Sequence, residues 1–492
     1  MTDRPLHTLG AIEALRAFRT RQLSPVELFD ALTERIERLD QADPEGCGPI
    51  NAVVQTLGDG RSAARSAERR YLDGVDEPLG AGGSALLGLP VATKEKHGIA
   101  GQPLSQGLSA LRDELAKDDH PVIARVRAAG GVVHARTASP EFSCATVTHS
   151  PLWGVTRNPW NRRLSPGGSS GGAGAALAAG YAPLATASDI AGSTRIPAAF
   201  NGVVGYKAPY GRVPGMPPLS ADWYRGDGPM ARSVADTALL YNVLSGVHPG
   251  DHGTVPGEGA VPIDYPDAAD WLAGRRIALS VQLGDYPVNP DAQAAIQRMA
   301  AVLGAAGADV VQVELPWTSA GIRDLTMAHF GHILGPAMAE LTSGMDGLAD
   351  YTRRFIVDAA AAAERMSLID TLAGESRLQA ELAAAMGGAD VLIAPVNAVD
   401  GLVADASYLD GITVAGPDGG DLHLTHYWQA HLTVPFNVNN RCPVLSVPIG
   451  FGANRLPVGM QIVGHPYAES TVFRAGAAVE ALQPWPLLAP VG

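Results

Sequence analysis

Cysteine is scarce in this chain. Cys47, Cys144 and Cys442 are three thiols in 492 residues, an odd count at wide spacing. That excludes a disulfide framework and a cysteine metal site and suits a reducing compartment. Long apolar runs are missing too: no stretch reaches the roughly 18 consecutive apolar residues that a membrane-spanning helix needs. The opening MTDRPLHTLGAIEALRAFRTRQLSP has neither the basic start nor the unbroken apolar core of an export signal. The expected location is the cytoplasm, with no membrane partner. Positive charge is in deficit, with 36 Lys and Arg against 50 Asp and Glu, a net charge of −14, and no dense basic run. Nucleic acid is therefore not the expected partner.

What is present is a large core-forming chain. Hydrophobic residues make up 46% and charged residues 17%, and the 57 glycines and 37 prolines fall short of a disordered composition. Ser24-Pro25-Val26-Glu27 is a capping box with proline at the first helical position, followed by Leu28, Phe29, Leu32, Ile36 and Leu39 at helical spacing. Pro121 to Ala129 reads as a helix stopped by Gly130-Gly131, and Val132-Val133 as a buried strand. Arg276 to Leu279 reads as a strand, Asn289-Pro290 opens a helix to about Gly304, and Val310 to Val313 is a strand again. Val391 to Ala394 and Val444 to Val447 are strand-like. The alternation predicts an α/β fold.

Length alone would allow about three domains, but one domain over 1–492 is the expectation. Its parts are an N-terminal helical layer (1–75), a catalytic core segment (76–245), a Gly/Pro/Asp-rich surface excursion (246–275), and the rest of the sheet with pocket helices (276–492).

The chemistry concentrates between Leu164 and Pro197, LSPGGSSGGAGAALAAGYAPLATASDIAGSTRIP. In Gly167 to Gly172, four glycines flank Ser169 and Ser170, a setting that permits unusual backbone beside an accessible hydroxyl. A glycine run alone is more often a structural turn. A phosphate cradle is excluded, because a P-loop needs Lys-Ser or Lys-Thr after its last glycine and Gly174 is followed by Ala175 and Ala176. Ser193, in Ile190-Ala191-Gly192-Ser193, is approached by small residues, and the consecutive backbone N–H groups of Ile190, Ala191, Gly192 and Ser193 suit an oxyanion hole. Ser193 is the candidate nucleophile. It needs a base, and Lys94 follows the apolar run Leu89 to Thr93, where burial would lower its pKa.

Together these segments resemble the amidase signature family, whose Gly-Gly-Ser-Ser-Gly-Gly and Gly-Ser-x-Arg-x-Pro runs carry a Ser–cis-Ser–Lys triad. The resemblance implies Lys94 as base, Ser169 as a relay serine with a cis peptide bond, and Ser193 as nucleophile, with Ser170, Asp189 and Arg195 in support. It extends over Glu141-Phe142-Ser143, Asn158 to Asn161, Gly205 to Pro214, Gly228 to Val234, Asp390 to Pro395, Cys442 to Gly450 and Leu456 to Gln461. It implies a large mixed sheet covered on both faces by helices, behind an N-terminal helical layer. Glu95 replaces the family's usual Asp, Ile190 a common Thr and Ala191 a common Gly.

The reaction so implied is hydrolysis of neutral, largely apolar amides, with carbamates and esters as alternatives and no cofactor or metal. Self-association into a homodimer stays open. The expected substrate contacts are Ser143, Cys144, Trp223 and Phe330, the last on a Met327/Phe330/Leu334 stripe ended by Gly335-Pro336. Trp153, Tyr224, Tyr427 and Trp428 are further pocket candidates. His329 and His332 have no carboxylate at metal-site spacing, and no Lys/Arg cluster near the motifs offers a counter-ion to a substrate carboxylate. A glutamine-hydrolysing amidotransferase component shares these motifs but commonly carries Gln where Ile196 stands; an idle binding protein is opposed by the intact Lys94, Ser169 and Ser193.

Overall fold

A computed structural model describes residues 4–44, 46–75, 77–257, 259–415 and 420–491. Its strands are β1 (Val53–Thr56), β2 (Pro90–Lys94), β3 (Val132–Thr137), β4 (His149–Ser150), β5 (Gly154–Val155), β6 (Leu184–Asp189), β7 (Val204–Lys207), β8 (Gly226–Ala231), β9 (Arg276–Leu279), β10 (Asp309–Gln312), β11 (Val391–Pro395), β12 (Ile412–Ala415), β13 (Asp421–Leu424), β14 (Val444–Phe451) and β15 (Pro457–Gly464). Eleven of them form one sheet in the order β1-β3-β2-β6-β8-β7-β14-β15-β11-β9-β10. β3, β2 and β6 run parallel, as do β11, β9 and β10, and the strands between these two groups pair antiparallel.

The sheet is mixed and covered on both faces. Along β11, Val391 and Ile393 join one apolar cluster and Leu392 and Ala394 another, as the two-residue period of a strand requires. Helices Ala11–Arg19, Pro121–Ala128, Val234–Leu244 and Glu469–Leu482 contribute to the first cluster, and Ser319–Thr342, Asp350–Arg365 and Leu368–Met386 to the second. The Ser24 capping box forms: Ser24 Oγ accepts from the N–H groups of Val26 and Glu27 at 3.1 Å, and Glu27 Oε2 accepts from Ser24 N–H at 2.8 Å.

Three expectations need amendment. The N-terminal segment contributes a strand, β1, to the sheet edge beside β3 as well as its helices. The 246–275 stretch is anchored, since Val261 and Leu272 are buried in the main apolar cluster. The helix expected to stop at Gly335-Pro336 continues to Thr342. Proline removes one backbone donor and crowds the preceding turn, but the helix is held by its neighbour Asp350–Arg365. The two approach so closely at Gly331 that an added Cβ would collide with the carbonyl oxygen of Ala359. Tertiary packing outweighs the local breaker.

Candidate active site

β2 and β6 are adjacent and parallel, and the site lies at their carboxyl ends, where open α/β sheets place ligands. Lys94 ends β2 and is fully buried. Its Nζ contacts Ser169 Oγ at 2.7 Å, Ser170 Oγ at 3.0 Å and Ser188 Oγ at 3.0 Å. Burial, reinforced by the nearby Lys96 charge, holds Lys94 well below the usual lysine range; the Asp227 and Asp189 charges oppose this without reversing it. No carboxylate reaches hydrogen-bond distance of Nζ among the described residues. A neutral amine surrounded by hydroxyls can accept a proton from one of them.

The turn before helix Gly171–Ala178 supplies two of those hydroxyls, and its Gly168–Ser169 peptide bond is cis. It is tied to the loop after β6 by Ser170 N–H donating to the Ser193 carbonyl oxygen at 3.1 Å. Ser193 Oγ makes no hydrogen bond to a described residue. Ser193 lines a small cavity with Ser143, Cys144, Ile190, Ala191 and Trp428.

Asp189, at the end of β6, shapes the Ser193 loop. Its carboxylate accepts from Gly192 N–H at 2.7 Å and Thr194 N–H at 3.2 Å, and both of its oxygens receive the Arg195 guanidinium at 3.0 and 2.9 Å. Arg195 also donates to the Thr433 carbonyl oxygen, Gln461 Oε1 and Asn437 Oδ1. This corrects the expected oxyanion donors: Gly192 N–H is already committed to Asp189, while those of Ile190, Ala191 and Ser193 have no acceptor among the described residues. Gly192 has φ +120°, and a Cβ there would collide with Thr433 Oγ1, so the loop demands glycine.

Burial pushes Asp189 up, but Arg195 and the Asn437 amide outweigh it and hold the carboxyl at about 2. A carboxyl depressed on folding adds stability that is complete above its unfolded value of about 3.9 and is lost as pH falls through the folded one. Asp189→Asn leaves Arg195 as an unpaired buried charge and should destabilise the fold by about 3–5 kcal/mol, read as a lower urea midpoint at neutral pH. A change below about 1 kcal/mol would show that the pair does not hold this loop.

Of the expected substrate contacts, Ser143 and Cys144 line the Ser193 cavity. Phe142 and Ser143 take positive φ, 52° and 61°, and Ser143 Oγ is buried without a partner. Glu141 fixes this segment by accepting from Ala349 N–H at 3.0 Å and Thr352 O–H at 2.6 Å. Phe330 is a correction: it is fully buried behind Phe355 and Trp428. Trp223 is a second one, because its indole N–H donates to Glu375 Oε2 at 2.9 Å and it lines a separate cavity. Tyr427 and Trp428 line the Ser193 cavity, and Tyr224 is fully buried.

Ser188 carried no motif. Its signal was Thr186 and Ser188 at alternate positions of an otherwise apolar strand, hence on one face; Thr186 Oγ1 accepts from Lys94 N–H at 3.1 Å.

Two histidine clusters also escaped the sequence. His329 sits between Asp222 Oδ1 and Glu375 Oε1, each at 2.9 Å; burial lowers its pKa, but the two carboxylates raise it above the ordinary value. Behind Lys94, His97 Nε2 lies 3.1 Å from Asp227 Oδ1 and its Nδ1 2.9 Å from Thr186 Oγ1, while His120 Nε2 is 3.6 Å from Asp227 Oδ2. The ligand atoms of these three residues lie within 4.8 Å of one another. His120 Nδ1 accepts from Val122 N–H, which places its proton on Nε2, and Lys96 Nζ stands 3.6 Å from Asp227. With a ring N–H and an ammonium already directed at the carboxylate, the trio reads as a hydrogen-bonded ion cluster rather than a cation cage.

A lysine and serines at the parallel-strand ends of this sheet define a hydrolase-type site, and comparison with known proteins agrees. A sequence model of the family described as Amidase matches residues 30–473. The chain is 31% identical over 495 residues to an acylamidase of Rhodococcus erythropolis, covering 99% of this chain and 98% of that one. It is 30% identical to a glutamyl-tRNA(Gln) amidotransferase component of Roseiflexus castenholzii, over 98% and 97% of the two chains. A bacterial aryl acylamidase of the amidase signature family superposes with a TM-score of 0.84 at 27% identity, covering 98% of each chain. A 6-aminohexanoate cyclic dimer hydrolase does so at 0.79 and 27%, over 97% and 98%. The chain belongs to the amidase signature family, and it is an amide-hydrolysing enzyme. No helix of the described residues is long and apolar enough to cross a membrane.

Proposed function

We propose that the chain cleaves amides with an uncharged, apolar acyl group through an acyl-enzyme on Ser193. The observation that carries this is Lys94: a fully buried amine, held well below its usual pKa, with three hydroxyl oxygens and no carboxylate in hydrogen-bond contact. Ser193 Oγ attacks the carbonyl carbon and its proton passes by way of Ser169 to Lys94 Nζ. The oxyanion meets the free N–H groups of Ile190, Ala191 and Ser193. Lys94 then returns the proton to the nitrogen as the C–N bond breaks, and water, deprotonated by the same route, releases the acid and restores Ser193.

The acyl group faces Ile190, Ile196, Phe355 and Trp428 across the Ser193 cavity. Those walls favour a compact apolar group. Carbamates and esters are alternative substrates, since the route needs only a carbonyl with a leaving group, and a carbamate yields a carbamic acid that decays.

The likeness to an amidotransferase component raises glutamine as a second substrate. The Ser193 cavity presents no carboxylate to a glutamine ammonium group. In a panel at equal concentration, acyl nitroanilides and aryl carbamates should exceed free glutamine in kcat/KM by about 100-fold or more. Glutamine above the anilides would replace this reading with the amidotransferase one.

A further inference from the structure

A second, larger cavity shares the Ser143 wall with the first. Exposed Leu115, Met216 and Lys117 contribute to its lining, so it leads to solvent. Deeper in, it carries Lys96, Arg225 and Asp227. Asp227 is already engaged by Lys96 at 3.6 Å and His97 at 3.1 Å. Arg225 is different: its side chain makes no hydrogen bond or ion pair among the described residues, and its Nε is buried. A planar guanidinium with its donors unused is complementary to a carboxylate. Arg225 also lies near enough to Cys144, in the wall of the Ser193 cavity, for its charge to favour the thiolate, although burial pushes that thiol up to about 12. The expectation that no cationic cluster lies near the motifs is thereby corrected.

We propose that Arg225, assisted by Lys96, forms a subsite for a carboxylate on the amine portion of the substrate. This rests on the amide hydrolysis proposed above. The acyl group stays bonded to Ser193 until water arrives, so it belongs in the cavity that Ser193 itself lines. The amine then falls to the larger neighbouring cavity beyond Ser143. The substrate class is then an amide with an apolar acyl group and an amine bearing an anion.

The test compares three butyryl anilides: one with a 4-carboxylate on the ring, its neutral 4-carboxamide analogue, and an isomer carrying the carboxylate on the acyl chain. The first should exceed the second in kcat/KM by about 10- to 100-fold, the scale of one charge-assisted hydrogen bond. Arg225→Gln should collapse that ratio, and rising salt should reduce it in wild type. Because Arg225 also influences Lys94, the ratio rather than either rate is the readout. A ratio near one, a ratio that survives Arg225→Gln, or preference for the acyl-chain carboxylate overturns the subsite. Calorimetric titration of the product 4-aminobenzoate into wild type and Arg225→Gln decides it without turnover: binding should be saturable in the first and at least about 10-fold weaker in the second. Binding without hydrolysis of any anilide would retain the subsite and refute the amidase reading instead.

Discussion

Ser193→Ala should lower kcat/KM on an acyl anilide by about 10⁴-fold or more while the protein stays folded. The loss is large because, on the proposed route, this hydroxyl is the atom that forms the covalent bond to the acyl carbon. The fold should survive because Ser193 Oγ bonds to no described residue and the contact of this residue with Ser170 is made by its carbonyl oxygen. Activity assays paired with near-ultraviolet circular dichroism read both outcomes. Retention of more than about a tenth of wild-type activity would move the nucleophile elsewhere.

Lys94→Ala should cost about 10²- to 10⁴-fold, the range of a general base, and more than Ser169→Ala, which removes only the relay. The pH profile gives the sign. Lys94 acts when neutral, burial and Lys96 shift its titration well below the ordinary lysine value, and its neutral fraction rises with pH. The wild-type kcat/KM should therefore climb along one limb as pH rises, at pH values well below those at which an ordinary lysine titrates, and then level. A rate that falls from about pH 6 to 9, with circular dichroism unchanged, contradicts a lysine base.

Much of this site was legible because its parts lie in two short stretches. Gly167 to Gly172 and Asp189 to Pro197 hold both serines, the glycine at φ +120° and the Asp189–Arg195 pair, so local sequence specified the turn chemistry. Lys94 was legible as a charge at the end of an apolar strand. Sequence could not show that Asp189 consumes the Gly192 N–H, because that depends on how a short loop closes on its own carboxylate. Phe330 and Trp223 share aromatic character with Tyr427 and Trp428, yet only the latter two reach the cavity; where the fold carries each residue decides this, Phe330 on a buried helix and Trp223 in the turn before β8, not residue type.

The same limit explains the Lys96 and Arg225 pairing and the two histidine clusters. Lys96 and Arg225 meet because β2 and β8 both flank β6 in the sheet, although they stand 225 − 96 = 129 positions apart in the chain. His329 finds Asp222 and Glu375 from two other elements in the same way. In the fold, helix caps and glycine stops located the helices after Ser24, His120 and Asn289 and apolar runs the strands β3, β9, β10, β11 and β14, whereas Pro336 does not end its helix because the contact between two helices at Gly331 overrides a local breaker.

The central claim is that the acyl group is carried on Ser193 with Lys94 as base. The most direct measurement is covalent trapping with an aryl sulfonyl fluoride, followed by intact mass and peptide mapping. The predicted result is one adduct, on Ser193, forming faster as rising pH increases the neutral fraction of Lys94 and abolished in Ser193→Ala. An adduct on Ser169, or unchanged labelling of the Ser193→Ala protein, would contradict it.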